Sequence, residues 1–409
     1  MPLTEGNIHV VLGGTKEFFI VTSEERKEAR YQRRVARRME KKKELNEKYG
    51  NFDDIISFDN LCDAFYQCKK TVSWKASTQK YERNLFKNVC QTRRDIYAGK
   101  SVSKGFHHFT LRERGKERYI RSVHISERVA QKAVNRNCLL PILSRSLIHD
   151  NGASLKGKGV DFTHRRLTQH LREFYKEYGK DGYILLIDFS GYFDNILHEP
   201  IFKDLEKKVF DKRIIELTKQ FVMPFGEKSL GLGSETSQIL AINYPNHIDH
   251  YIKEVLRVRG FARYMDDSYL IHHSKEYLQY CLQEITRMCN EIGIKLNPNK
   301  TQIVRLTHQF TFLKTKYSIT DSGKILRRVS RCAVTRMRRK MKKFKRFYDQ
   351  GLMTLDDINC SYQSWRGYLK RKDSYTTLCS LDKLYHSLFA EAEFIQAVTR
   401  AQSGIVFVN

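Results

Sequence analysis

The chain has 409 residues, 41% of them hydrophobic, enough for one large core or two to three modest ones. Lysine and arginine total 74 against 46 acidic residues, a formal charge of +28. Such an imbalance suits a polyanionic partner, because each neutralised phosphate releases a condensed counterion; it also suits a solvated basic surface or a ribosome-associated protein. No apolar run is long enough to cross a bilayer and the start lacks a signal-peptide core, so a soluble, cytoplasmic protein with no membrane partner is expected. The nine cysteines show no C-x-x-C pair and no regular spacing to histidine, which argues against a disulfide framework or zinc knuckle and for reduced thiols.

Along the chain, Ile8 to Val11 and Phe18 to Val21 are short apolar stretches. They lead into a run of interleaved charges, EERKEARYQRRVARRMEKKKE, with few apolar positions. That run is either a solvated or partly disordered helix or an RNA-gripping basic arm. Helical periodicity follows at LCDAFYQCKK and YERNLFKNV. Leu111 to Arg118 (LRERGKER) reads as a basic β-hairpin, and NGASLKGKGVDFTH from Asn151 to His164 as a Gly- and Lys-rich loop entering a helix. YILLIDF (183–189) is a buried strand ending in a charge, and FARYMDDSYLIH (261–272) is two strands around a tight turn. EYLQYCLQEITRMCNEIG is a further helix; beyond about residue 325 the pattern turns helical and basic, with a second helix near 354–370. Strands and helices in this order predict an α+β fold.

Chemistry concentrates at Tyr264-Met265-Asp266-Asp267. Adjacent carboxylates at a hairpin tip repel, and each raises the other's pKa unless a cation intervenes. A pair of divalent ions removes that repulsion, and nucleotidyl transfer uses such a pair to stabilise the attacking 3′-oxygen and the departing pyrophosphate. Mg²⁺ suits oxygen ligands and retained waters. Asp188, at the end of YILLI, supplies a third carboxylate from another strand.

These residues carry a resemblance to reverse transcriptases. Tyr264 to Asp267 is the same as their catalytic tetrad, and Ile187 to Asp194 (IDFSGYFD) resembles their first carboxylate motif. The resemblance implies a right-hand polymerase: residues 1–55 a basic extension, 56–320 fingers and palm, 321–409 helical thumb and tail. It implies two Mg²⁺ ions, replaceable by Mn²⁺, on Asp188, Phe189, Asp266 and Asp267, and a sugar gate at Phe193 favouring deoxynucleotides; Phe193 also reads as a core aromatic. Gly231 to Gln238 (GLGSETSQ) looks like the family's template-and-nucleotide motif, with Gly233, Ser237 and Gln238 at the nucleotide. Leu232 stands where the family has glutamine and Gln238 where it has proline, a variant resembling diversity-generating retroelement enzymes and some defence-associated ones.

Further contacts are implied in the same way. Lys300, in GIKLNPNKT, is either a general acid toward pyrophosphate or a solvated turn residue. Arg118, with Arg112, Arg114 and Lys116, would clamp the triphosphate, arginine suiting phosphate by its planar fork. Lys156, Lys158, Arg263, Tyr264, Met265, Phe312, Leu313 and Trp365 are expected at template and primer, with Trp365 also packing the thumb helices. The implied partners are an RNA template, a DNA or RNA primer and dNTPs, with room for a dedicated noncoding RNA and an accessory protein. The likeness covers about residues 57–390, and residues 1–50 match no motif. An RNA-binding maturase or scaffold on the same fold is the rival reading, disfavoured by three intact aspartates.

Overall fold

The computed structural model describes residues 22–70, 72–113 and 116–404. The apolar stretches before Thr22, and Arg114, lie outside them. The chain forms two compact units, Met1–Ser146 with His198–Leu240, and Leu147–Leu197 with Ala241–Asn409.

In chain order the first unit opens with α1 (Ser23–Tyr49), started by a capping box between Thr22 and Glu25. Then come α2 (Phe52–Ile55), α3 (Phe58–Lys69), α4 (Ala76–Arg83) and α5 (Leu85–Tyr97). Leu61, Ala64, Phe65 and Cys68 recur at helical spacing on α3 and bury against Tyr81, Leu85, Val89 and Val129. The single helix expected over Tyr81–Val89 is instead two, broken at Asn84 (φ −124°, ψ 42°). Asparagine suits such a break because its amide competes with the helix ladder. β1 (Phe106–Glu113) and β2 (Lys116–Val123) form the expected basic hairpin, longer at its base than LRERGKER alone. α6 (Ile125–Val134) continues through a π-helical turn, Asn135–Leu139, into α7 (Leu140–Leu143).

The chain then enters the second unit with α8 (Val160–Tyr178), β3 (Tyr183–Ser190) and α9 (Tyr192–Asn195). It returns to the first for α10 (His198–Lys208) and α11 (Lys212–Val222), and α12 (Glu235–Asn243) leads back. α13 (Asn246–His250), β4 (Gly260–Tyr264), β5 (Asp267–His272), α14 (Lys275–Glu291), β6 (Lys295–Leu296) and β7 (Gln302–Arg305) complete the central sheet and its cover. β8 (Phe310–Phe312), β9 (Thr315–Ile319) and β10 (Ile325–Val329) make a three-stranded sheet. α15 (Arg331–Asp349), α16 (Leu355–Lys370) and α17 (Tyr375–Gly404) finish the chain.

The central sheet runs β4-β5-β3-β6, with β7 also pairing with β3, and its ladders are antiparallel. β3 is sandwiched between neighbours, which is why Ile184 to Ile187 read as an unbroken apolar run. Helix α8 packs Leu167 and Leu171 against Ile184, Leu186 and Tyr269. The three last helices enclose their own core around Met341, Ile358, Leu381 and Phe389. The fold is α+β, as the strand–helix order predicts. All nine cysteines are free thiols, and among the described residues no helix is long and apolar enough to cross a membrane.

Candidate active site

β3 and β5 pair in a register that sets Asp188 opposite Asp267, so two carboxylates meet at one end of the sheet. Asp266 sits in the two-residue turn between β4 and β5, where Met265 is left-handed (φ 55°). A non-glycine residue there stores roughly 1–3 kcal/mol of strain, so neighbouring bonds must hold the turn. Two do: the Phe189 amide donates to the Asp266 carbonyl at 3.2 Å, and Arg263 Nη1 donates to the Met265 carbonyl at 3.1 Å.

Arg263 is the largest departure from expectation. It does not face a template; it is 1% exposed. Its Nε and Nη2 grip the buried Asp249 carboxylate at 2.8 and 2.6 Å, and Nη2 also donates to the Ile242 carbonyl. The planar fork therefore ties the Met265–Asp266 turn to Asp249. Neither Asp249 nor Ile242 has a local sequence signal for this role, since the three meet only on folding.

The Asp188 carboxylate accepts from Lys300 Nζ at 2.5 Å and from Asn297 Nδ2 at 3.0 Å, and the Asn297 amide donates to the Asp188 carbonyl. Burial alone would lower the Lys300 pKa, but the hydrogen bond and charge of Asp188, with Asp267 and Asp266 beyond, outweigh it and raise it. Burial, then the charges of Asp266 and Asp188, push Asp267 up to about 7 against the pull of Lys300 and Lys314. Tyr264 is raised by burial and then by the two neighbouring aspartates. Lys300 thus reaches the Asp188 carboxylate from an exposed turn, its side chain half in solvent, while Asn297 at the head of the same turn was missed.

Among the described residues no three His, Cys, Asp or Glu side chains converge as a ready-made metal cage. The donor set nonetheless fits Mg²⁺: hard oxygen ligands only, like charges in mutual repulsion, and a lysine ammonium already drawn to one of them.

In the same unit, Gly191 (φ 54°) turns the chain from β3 into α9. Tyr192 is the core aromatic there, donating to the Ala241 carbonyl at 2.5 Å, while its neighbour Phe193 is only half-buried. The loop at 151–159 is stitched to β4 by Gly152 N to Arg263 O at 2.9 Å and Arg263 N to Asp150 O at 3.2 Å. Lys156 is exposed, and Lys158 Nζ donates to the His149 carbonyl at 2.7 Å. Phe312, expected at the primer, is instead a core residue, set edge-on to Tyr269 with centroids 5.1 Å apart. Its alternation in β8 turns it inward, leaving the tip to Leu313 and Lys314, both left-handed (φ 44° and 63°) in a two-residue hairpin turn. Trp365 is half-buried against the last-helix core, consistent with its packing role. Tyr264 and Met265 are half-buried at the turn.

The first unit carries the other expected nucleotide residues. Arg118 is exposed on β2, and Arg112 pairs with Glu117 across the hairpin at 2.5 Å. The Lys116 side chain, like Arg114, lies outside the described residues. Gly233 (φ 122°) is needed for a close approach, but to the protein's own hairpin: a Cβ there would stand 2.8 Å from the Arg121 carbonyl. Ser237 is buried and donates to the Leu230 carbonyl, so its hydroxyl closes the loop and does not reach a nucleotide. Gln238 is exposed. Sequence reasoning missed what holds this loop: Gln131 accepts from Ser234 at 2.9 Å and Asn135 from Thr236 at 3.1 Å, all four buried. Glu127, Gln131 and Asn135 recur every four residues, a polar stripe running from α6 into the π-helical turn that was the available signal.

A strand-borne carboxylate opposite a carboxylate hairpin turn, on an antiparallel sheet backed by helices, defines the palm of a right-hand nucleic-acid polymerase. The family model for reverse transcriptase (RNA-dependent DNA polymerase) matches residues 111–317, just over half of the chain. The chain belongs to that family. No curated protein sequence matches it. Among solved structures it is similar to telomerase from Candida albicans in complex with a fragment of telomeric RNA, at 13% identity and TM-score 0.45. That match covers 69% of this chain and 57% of the telomerase chain. Apo telomerase from Candida tropicalis is similar at 13% identity and TM-score 0.44, covering 56% of this chain and 49% of that one.

Proposed function

We propose that this chain is an RNA-directed DNA polymerase that extends a primer with dNTPs along an RNA template. The observation that carries the reading is the register of Asp188 against Asp267 beside Asp266, with Asp267 pushed up to about 7 by burial and by its neighbours' charge. Asp188, Asp266 and Asp267, with the Phe189 carbonyl, would hold two Mg²⁺ or Mn²⁺ ions. When bound, such ions activate the 3′-oxygen and neutralise charge on the departing pyrophosphate. Lys300 would exchange Asp188 for the triphosphate and donate a proton to the leaving group. Phe193 would exclude a 2′-hydroxyl from beneath the sugar. Arg118 would bind the triphosphate through its fork, with Gln238 and the loop at Gly233 beside it, and Lys156 would follow the template.

The setting we propose is a bacterial or phage retroelement of the diversity-generating kind, working with its own RNA. Leu232 and Gln238 support that setting, being the departures that kind shares. Primer extension on an RNA template with dNTPs and Mg²⁺ tests the chemistry: the wild type should synthesise DNA, and Asp266→Asn with Asp267→Asn should abolish it by a factor of 10³ or more, roughly the size of losing an electrostatic transition-state contact. Synthesis by the double variant at wild-type rate would sink the reading. Sequencing RNA that copurifies with the protein tests the setting, a repeat matching a variable gene being the expected result.

A further inference from the structure

We infer that one face of α1 is a docking surface for double-stranded RNA, separate from the polymerase site. At 100° per residue, Arg26, Lys27, Arg30, Arg33, Arg34, Arg37, Arg38 and Lys41 fall within an arc of about 140°. At 1.5 Å per residue the stripe is about 22 Å long. The acidic residues Glu24, Glu25 and Glu28 lie off that arc, and positions 29 to 39 contain no acid.

Three observations separate this stripe from an ordinary solvated helix face. The first is electrostatic. The i±4 neighbours of Arg30, Arg33, Arg34, Arg37 and Arg38 are arginine, lysine or alanine, never an acid. Like charges at that spacing destabilise a helix, whereas a solvated helix gains from alternating signs. None of these five arginines forms an ion pair among the described residues. A row of phosphates relieves the repulsion. The second is anchoring. Asn46 is the helix's buried residue: its Nδ2 donates to the Lys208 carbonyl and its Oδ1 accepts from the Phe210 amide, both at 2.9 Å. Lys42 lies over the Phe210 ring at 5.0 Å. The helix is therefore held at its C-terminal end, while Arg30, Arg33, Arg34, Arg37 and Arg38 stand exposed.

The third is chemical. Six of the eight cations on the arc are arginines, whose forks grip phosphate bidentately. The same arc carries no Asn or Gln, the side chains that read adenine edges in a DNA major groove. Contact through phosphates alone fits a duplex recognised by shape, which is how double-stranded RNA is bound. The choice of RNA over DNA also rests on the proposed polymerase reading, which brings RNA to this protein.

The test uses the full chain with Arg30→Gln, Arg34→Gln, Arg37→Gln and Arg38→Gln together. Glutamine keeps helix propensity and removes the repulsion, so the fold is not endangered; helicity by circular dichroism checks it. Binding of an unprimed RNA hairpin and of a DNA hairpin of the same sequence is measured by anisotropy across a salt series. The variant should bind the RNA hairpin about 10- to 100-fold more weakly near 0.1 M salt, with a shallower salt slope. Extension of a primed homopolymer template should stay within about twofold of wild type, since these positions lie outside the candidate active site. A matching variant with lysine at the four positions should recover most of the salt slope. Unchanged RNA-hairpin affinity overturns the proposal, and so does an equal loss on the DNA hairpin, which would mark a generic polyanion surface. Loss of hairpin binding in a protein whose wild type extends no primer would leave the docking face standing and strike the polymerase reading instead.

Discussion

Charge is handled in opposite ways by the Met265–Asp266 turn and by α1. At the turn, Arg263 and Asp249 are both buried and satisfied by one another, by Ile242 and by Met265. On α1, five arginines stand exposed with no acid at their i±4 positions. The first arrangement spends charge on geometry and needs nothing from outside. The second leaves charge free for a partner. Charge that is bound internally should matter to stability and little to salt, and free charge the reverse.

The sharpest way to break this contrast is to unpair the turn. Asp249→Ala leaves a guanidinium buried without its counter-ion, which should lower stability by about 3–5 kcal/mol in chemical denaturation. Replacing both partners by apolar residues, Asp249→Leu with Arg263→Met, should restore most of that stability. It should not restore primer extension, because the Met265 carbonyl still lacks its donor and the strained turn is released. Full activity in the double replacement would mean that the pair only packs.

Protonation offers a milder break in the same unit. His164 is bonded to Tyr317 at 2.6 Å and His170 to Tyr269 at 2.9 Å, and burial lowers each pKa to about 4. The folded form thus favours neutral rings more than the unfolded chain does. Their contribution is complete above the ordinary value of about 6.5 and is lost as the pH falls from there toward 4. Each supplies up to about 3 kcal/mol over that window. Thermal midpoints should therefore fall between pH 6.5 and 4, and His164→Gln with His170→Gln should flatten that slope. An unaltered slope in the variant would assign the acid sensitivity to carboxylates.

The carboxylate-bearing strands were legible in the sequence because local pattern and chemistry coincide there. β3 is an apolar run ending in Asp188, and a hairpin flanks Tyr264 to Asp267. The misread residues share a different cause. Arg263, Phe312 and Ser237 are polar or aromatic residues inside recognisable motifs, and a motif names a neighbourhood without saying which way a side chain turns. Phe312 points inward because strand alternation puts its neighbour Thr311 at the surface, whereas Arg263 lies in a stretch of β4 buried on both faces, beside Phe261 and Ala262, and is turned to Asp249. Ser237 is claimed by a carbonyl seven residues back. The partners Asp249 and Asn297 were invisible for a simpler reason: neither is a sequence neighbour of the residue it holds.

The smallest expected effect probes the loop from Gly231 to Gln238, where buried neutral groups do what the ion pair does at the turn. Gln131 accepts from Ser234 and donates to Glu127 at 2.9 Å, so it links α6 to the loop through both ends of its amide. Gln131→Ala strips a partner from two buried groups and should lower stability by about 1–3 kcal/mol. If the loop contacts the incoming nucleotide, a loosened loop weakens binding before it weakens chemistry. Steady-state extension should then show a severalfold rise in the KM for dNTP with kcat little changed. Glu127→Gln, which keeps the hydrogen bond to Gln131 possible, should leave KM near wild type. A stability loss with unchanged KM would make the α6 stripe a core device alone and move nucleotide contact elsewhere in the first unit, to the hairpin bearing Arg118.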